Sequence, residues 1–335
     1  MTAGIDTKVD LRPYAADIAG TARWAPSLHN AQPWAFRVDT DAVDVLLDRS
    51  RTLRVADPRG RQALLGVGAA GGLVELTLST MDFRTRLEPW PSPAEPDLAA
   101  RVRVVGLRSA PETDRRLRVA VSARRTVRTP FRDDDVPVPL RVAWREMAET
   151  AGAGLRWVEG PGERIGVSAL VAAGERLQQR DPAYLAELDR WTSAEAAGEG
   201  AGVPPEAWGV TASAGHAAEF PLRDFAGGYD SGQSRPAGPL ERRPVVAILV
   251  TPEDLPADWL AGGRALVRVL LAAAAEGYAA SYLNQPLELP GLRQELRDEL
   301  RLDGWPQLVL RLGRPRGPLP PQAPRRAIAD LLLPA

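Results

Sequence analysis

The chain contains no cysteine. Disulfides, iron–sulfur ligation and a thiol nucleophile are thereby excluded. It has only two histidines, His29 and His216, too few for an ordinary structural zinc site. Charge of one sign is missing as well. The 42 basic and 43 acidic residues leave a formal net charge of −1, so no global field draws nucleic acid or an anionic membrane, and any anion must be met by a local cluster. The N-terminus lacks a basic region followed by an apolar core, and no apolar run approaches the roughly 20 residues that cross a bilayer. The expectation is a cytoplasmic protein with neither nucleic-acid nor membrane partners. What is present, 335 residues with 44% hydrophobic and 25% charged, suits one large globular domain or two ordinary ones.

The order of elements runs through two successive sections. Residues 11–26 read as a helix, followed by strands at 34–38 and 43–47 joined by the turn-prone Asp39-Thr-Asp41. Asp57-Pro58 suits an N-cap and a first helical position, which predicts one long helix to about Met81. Arg84–Glu88 and Arg101–Leu107 are the next strands. After Pro111 the pattern begins again: a helix through Arg125, a helix over 140–151, a strand over 154–158 and a helix over 162–180. Pro244–Val250 reads as a buried strand. A helix over 257–276, a strand at Ser281–Leu283, a helix over 290–300 and a strand over 307–312 follow. This is an α+β pattern, helices around mixed β-sheets. Residues 195–243 are rich in Gly, Pro, Ala and Ser and have little periodicity. A loop of that length is uncommon unless it is a lid or a disordered insert, and Trp208, Phe220, Leu222 and Phe225 give this one apolar anchors, so a lid is expected.

Gly66-Val-Gly-Ala-Ala-Gly71 matches the glycine pattern of a dinucleotide-binding Rossmann unit, with Glu88 downstream. That fingerprint needs a strand immediately before its first glycine. Gln62-Ala-Leu-Leu65 is short, free of β-branched residues and already inside the helix announced at Asp57-Pro58. The expectation is that these small residues let two helices pack closely, with a Rossmann-type NAD(P) dehydrogenase as the weaker alternative.

Four motifs in order carry a family resemblance. Ala25-Pro-Ser-Leu-His-Asn-Ala-Gln-Pro-Trp34 is similar to the pocket motif of flavin-dependent nitroreductases, and Arg124-Arg-Thr-Val-Arg128 to their Arg-x-Ser-x-Arg phosphate motif, with Thr126 in place of Ser. Ser281-Tyr-Leu-Asn-Gln-Pro-Leu-Glu288 resembles the segment that passes over the flavin ring, and Leu310-Arg-Leu-Gly-Arg-Pro-Arg316 the last strand and its basic exit. The Pro-Ser/Asn-Gln motif comes almost a hundred residues before the arginine motif, the reverse of the ordinary family order. The whole chain thus resembles the two-domain, Acg-like nitroreductase homologues, in which two half-subunits are fused into an intramolecular pseudo-dimer. Residues 1–110 would form one half and 111–335 the other, with the lid-like insertion in the second. Each half lacks what the other keeps: 151–154 has no counterpart of the Ser27–Pro33 insertion, and Thr7–Arg12 has no arginine motif. One site per chain and a monomer are expected.

The resemblance implies non-covalent FMN. Arg124 and Arg128, four apart on a helical turn, would set two guanidinium forks on one side of its phosphate with the Thr126 hydroxyl between them. An isolated arginine triplet more often decorates a solvated helix; the companion motifs argue otherwise. Arg314 and Arg316 either complete the phosphate pocket or form an exposed basic tail. Ser27, Asn30 and Gln32 suit the donor and acceptor edge of the isoalloxazine ring, although Pro-Ser and Asn also close ordinary turns. The backbone of Gln285, Leu287 and Glu288 would approach the ring, where Pro286 has no N–H to give. Trp34 is read as core, and His29 is given no catalytic role. Because the flavin itself carries hydride chemistry, no side-chain acid or base is required. The expected activity is NAD(P)H-dependent or related oxidoreduction of a small organic acceptor; the alternative from another class is a protein that sequesters, stores or senses FMN with little turnover.

Overall fold

A computed structural model describes residues 9–209, 218–226 and 241–334. His216 and parts of the expected lid lie outside the described residues. The first section runs α1 (Ala15–Ala22), β1 (Trp34–Val38), β2 (Ala42–Leu47), α2 (Arg61–Thr80), β3 (Phe83–Pro89) and β4 (Leu98–Leu107). The second runs α3 (Glu112–Ala120), α4 (Val138–Thr150), β5 (Gly154–Val158), α5 (Pro161–Gln178), α6 (Pro182–Thr192), α7 (Ala194–Gly198), β6 (Val245–Thr251), α8 (Pro256–Ala275), β7 (Ala279–Tyr282), α9 (Pro290–Glu299) and β8 (Trp305–Gly313). The strands form two four-stranded sheets, ordered β1-β2-β4-β3 and β5-β6-β8-β7. Position for position the two orders are the same. All strand pairings within them are antiparallel. The parallel component of the expected mixed sheets is confined to two isolated bridges, Phe36 with Leu332 and Thr126 with Ala280.

The two sections meet where α2 packs along α8. Contact is backbone to backbone: a Cβ on Gly68 would stand 2.1 Å from the Leu260 carbonyl oxygen, and one on Gly263 would stand 2.0 Å from that of Leu65. Only glycine permits this approach. The Gly66–Gly71 pattern is therefore a helix crossing, with no strand before it, and its Rossmann reading falls. Because α8 covers one side of α2 and the first sheet the other, 19 of its 20 residues are buried. That corrects the expectation that no segment could span a bilayer. By length and a mean hydropathy of 1.4, α2 is long and apolar enough, yet 94% of its most apolar window lies inside the protein.

Three differences from the sequence-based reading have physical causes. Asp57 does not stand next to the first turn of α2, which begins four residues later at Arg61, after Gly60 in a left-handed conformation. Its carboxylate still accepts from the Ala63 amide at 2.8 Å, so it caps the helix from a distance. The helix expected through Arg125 stops at Ala120, because Val127 donates to the Ala280 carbonyl at 2.9 Å and draws residues 126–127 onto the edge of β7. Pairing with β7 wins over local helicity there. The helix α6 was not anticipated; its N-cap, Asp181, accepts from the amides of Ala183 and Tyr184.

Candidate functional site

Among the described residues, left-handed backbone at non-glycine positions is concentrated in the loop from α1 to β1. His29, Asn30 and Gln32 all have positive φ, at 47°, 57° and 54°. Left-handed backbone costs a non-glycine residue of the order of 1 kcal/mol or more and persists where its surroundings hold it. Here Ser27 Oγ accepts from the Gln32 amide at 2.9 Å, Asn30 Nδ2 donates to the carbonyls of Gly202 and Pro324, and Gln32 Nε2 donates to that of Gly200. The loop is thus clamped by two distant parts of the chain.

That loop forms one wall of a cleft between the sections. Residues 124–128 form another, the end of β7 with Asn284 and Glu288 a third, and Gly66 of α2 with Leu266 of α8 the floor. Its empty space is about 1210 Å³ with the open mouth included. Pieces of the expected lid line it too: Gly202, Val203 and Ala207 on one side, Leu222, Arg223 and Phe225 on the other. Residues 210–217 and 227–240 of that segment lie outside the described residues.

Of the residues singled out from the sequence, Ser27, Asn30, Arg124, Thr126, Arg128 and Glu288 line the cleft. Five others do not. Gln32 is fully buried beside it, its amide committed to Asn30, Gly200 and the Arg326 backbone N–H. Gln285 is fully buried on the far side of its turn, with Nε2 donating to Glu175, and the Leu287 side chain packs into a core cluster while its amide donates to Asn284. Arg314 and Arg316 are the exposed basic tail, facing Asp134 at 3.9 Å and Asp133 at 3.3 Å. Nor are Arg124 and Arg128 on a helical turn. The extended backbone separates them, so Arg128 stacks 4.6 Å from the Phe225 ring centroid and donates to the Ala207 carbonyl, while Arg124 sits over the Trp24 carbonyl.

Arg124 has other company that the sequence did not disclose. Arg125 and Arg325 line the same end of the cleft, and the Arg325 guanidinium stacks 5.1 Å from the Trp24 ring centroid. Among the described residues Arg124, Arg125, Arg128 and Arg325 meet no carboxylate. Their hydrogen bonds go to backbone carbonyls and, for Arg325, to the Asn30 side-chain amide as well. Burial pulls the pKa of Arg325 down to about 9, with repulsion from Arg124, Arg125 and Arg23 adding to it. Arg128 is lowered to about 10 by burial and by Arg223, and Arg124 and Arg125 are lowered by burial too. All four stay charged at neutral pH. The Nε atoms of Arg125 and Arg325 are buried without a partner, as is the Tyr282 hydroxyl. Burying uncompensated charge is costly. The arrangement fits a dianion presenting several acceptor oxygens.

The other end of the cleft is neutralised. Arg223 donates to Glu288 at 2.7 Å and to the Tyr184 hydroxyl, and Gln178 Nε2 donates to the second Glu288 oxygen at 2.6 Å. Burial works against the Arg223 cation, but Glu288 more than restores it and leaves its pKa above the usual value. His29 lies between the ends, edge-on to Phe225. Burial, with Arg223 and Arg128 nearby, holds its pKa well below 6.5, so it is a neutral imidazole whose Nε2 has no partner.

No family model matches the chain. Whole-chain relatives exist. A Mycobacterium tuberculosis protein named "Putative NAD(P)H nitroreductase" is 31% identical over 314 residues, 92% of this chain and 88% of its own length. Another of the same name, acg, is 30% identical over 311 residues, with 92% and 91% covered. An uncharacterized protein of that organism is 29% identical over 319 residues, covering 92% and 89%. Among solved structures, the FMN-dependent nitroreductase NfnB of Mycobacterium smegmatis in complex with NADPH matches 65% of this chain at 18% identity, with a TM-score of 0.37.

Proposed function

This chain belongs to the nitroreductase family, alongside the acg protein, and from that premise we propose that it is an FMN-dependent oxidoreductase that takes electrons from NAD(P)H and passes them to a small organic acceptor. The observation that carries the reading is the carboxylate-free arginine cluster. Arg124, Arg125 and Arg325 would hold the phosphate of FMN, with Thr126 beside them. The ring would lie toward Gly66, Tyr282 and Asn284, with Arg128 and His29 along its edge. When bound, FMN supplies the hydride chemistry. The chain's own part is to bind, orient and screen. Arg128 would set a fixed positive charge along that edge, which would favour a more anionic, reduced cofactor. Neutral His29 can offer a hydrogen bond but adds no charge. Val203, Leu222 and Phe225, which line the cleft, would form a wall that narrows access to small acceptors.

Residues 1–110 and 111–335 act in this reading as two halves of one site, so a single chain suffices and a monomer is expected by light scattering. An obligate dimer that loses activity on dilution would contradict it. The first test is the absorbance spectrum of the purified protein, with flavin bands whose chromophore is released as FMN. The second is steady-state NAD(P)H oxidation with quinone and nitroaromatic acceptors. Flavin bands with negligible turnover would turn the reading to sequestration, and a protein that binds NAD(P) tightly but no flavin would sink it.

A further inference from the structure

The two sections differ in what fills the corner between helix and sheet. Contacts between α2 and α8 advance together, Gly68 against Leu260 and Gly72 against Arg264, so the helices run parallel. With Gly263 against Leu65 as the reciprocal contact, Leu65 answers to Leu260, and the first helical residues, Arg61 and Pro256, answer to each other. β2 and β6 shift register at the same place against their neighbours, and the residues left unpaired by the shifts are Ala99 in β4 and Gln307 in β8. In the second section this corner is solid. Arg61 donates to the carbonyl and the side chain of Gln307, Gln307 Nε2 donates to Thr251, and Arg293 of α9 donates to the Pro306 carbonyl and to both oxygens of Asp254. In the first section Pro256 stands where Arg61 would reach in and Ala99 stands for Gln307. The connection from β3 to β4 has no helix in place of α9. No described residue takes up the room. It is a slot of about 1610 Å³ with its open mouth included, larger than the 1210 Å³ of the cleft by the same measure.

The slot is apolar inside and cationic at its rim. Leu53, Leu64, Trp90, Leu255 and Trp259 line it, and Leu255 is left 59% exposed. Its back is held rigid, because the buried Glu187 carboxylate of α6 accepts from the amides of Arg54, Val55 and Ala56 at 2.7, 3.1 and 2.8 Å. A slot fixed in this way costs little to organise when something enters. Three arginines stand on the lining, Arg49, Arg54 and Arg59. Arg49 pairs with Asp97, and Arg59 shares Asp254, which Arg293 and Trp259 already hold. Arg54 is exposed, and among the described residues its guanidinium has no hydrogen-bond or ion-pair partner. The single carboxylate on the lining, Asp57, is turned to the Ala63 amide at 2.8 Å. We propose that this slot is a second ligand site for an organic monoanion with an apolar body, its carboxylate on Arg54 and its body among Trp90, Leu64 and Leu255. An apolar wall with few polar groups suits such a molecule, and one free cation sets its charge at one. The proposal does not rest on the FMN reading, because none of these residues lines the cleft.

The test is calorimetric titration of the full-length protein with decanoate, against decyltrimethylammonium, which has the same tail and the opposite charge. Wild type is expected to bind one decanoate per chain and to bind the cation at least about tenfold more weakly. Arg54→Glu should weaken decanoate by about tenfold or more, and Ala257→Trp, which fills the slot from an exposed position on its lining without changing charge, should abolish it. Both changes are at exposed positions, so thermal melting should match wild type. Arg124→Glu, in the cleft, should leave decanoate binding as it is. Equal affinity for the two probes, binding that survives both slot variants, or binding lost in Arg124→Glu and kept in Arg54→Glu would each overturn the site. So would a wild type that ignores decanoate; if light scattering then shows a dimer that Ala257→Trp dissociates, the slot belongs to a second copy of the chain.

Discussion

The two ends of the cleft are built on opposite electrostatic plans. At one, Arg223 and Glu288 lie 2.7 Å apart with their remaining hydrogen-bonding atoms met by Tyr184 and Gln178. At the other, Arg124, Arg125 and Arg325 converge, among the described residues, with only neutral oxygens for company. Both ends bury cations, so burial alone does not distinguish them. Where the protein supplies the counter-charge, the group is a structural tie, here fastening residues 218–226 to the turn after β7. Where it withholds the counter-charge, the protein is less stable empty than filled, and the difference becomes binding free energy for whatever anion completes the site.

The comparison is most severely broken at the neutral end. Glu288→Ala leaves Arg223 buried without a partner and is expected to cost about 3–5 kcal/mol, measured by chemical denaturation of the flavin-free protein. A loss below about 1 kcal/mol would mean that the pair is not a tie. At the bare end the same logic predicts the reverse pattern. Arg124→Glu should relieve repulsion, so flavin-free stability should not fall, while FMN affinity drops on the order of a hundredfold to a thousandfold. An unchanged FMN titration would place the phosphate elsewhere. The smallest effect concerns Asp57, which feels Glu288 through the interior. Burial raises its pKa to about 6, with Glu288 adding to the shift and helix amides opposing it. A carboxyl raised on folding binds its proton more tightly folded than unfolded. Its stabilising contribution is therefore full below pH 3.8 and lost as pH rises through about 6, amounting to at most roughly 3 kcal/mol. Asp57→Asn should remove that decline. Denaturation curves at pH 4 and pH 7 whose difference is the same in wild type and variant would refute the assignment.

How much of this was legible depended on whether the cause was local. The strand Gly154–Val158 was read with its observed bounds, because a short apolar run between glycine and proline turns needs no distant information. The glycines of α2 were read correctly as a packing face, since the missing strand before Gly66 was itself a local fact. Asp181-Pro182 carries the same start signal as Asp57-Pro58, so α6 was legible and went unread. The arginine motif was located but given the wrong shape, because the edge of β7 that straightens it lies some 150 residues away. Arg314 and Arg316 were two basic residues at a plausible exit, and nothing in their spacing told a cleft from solvent.

By itself, then, the sequence determined the α+β pattern and the doubling of that pattern along the chain, and its family resemblance located six residues of one cleft's wall: Ser27, Asn30, Arg124, Thr126, Arg128 and Glu288. The pattern follows from periodicity and turn chemistry that act over a few residues, the six residues from the motifs that carry the resemblance. Tertiary structure alone decided which cations are paired and which are bare. Asn30 and Arg325 are 295 positions apart, and Arg223 and Glu288 are 65. The energy of a buried charge is set by what stands within a few ångströms of it, and only the folded chain brings those neighbours together.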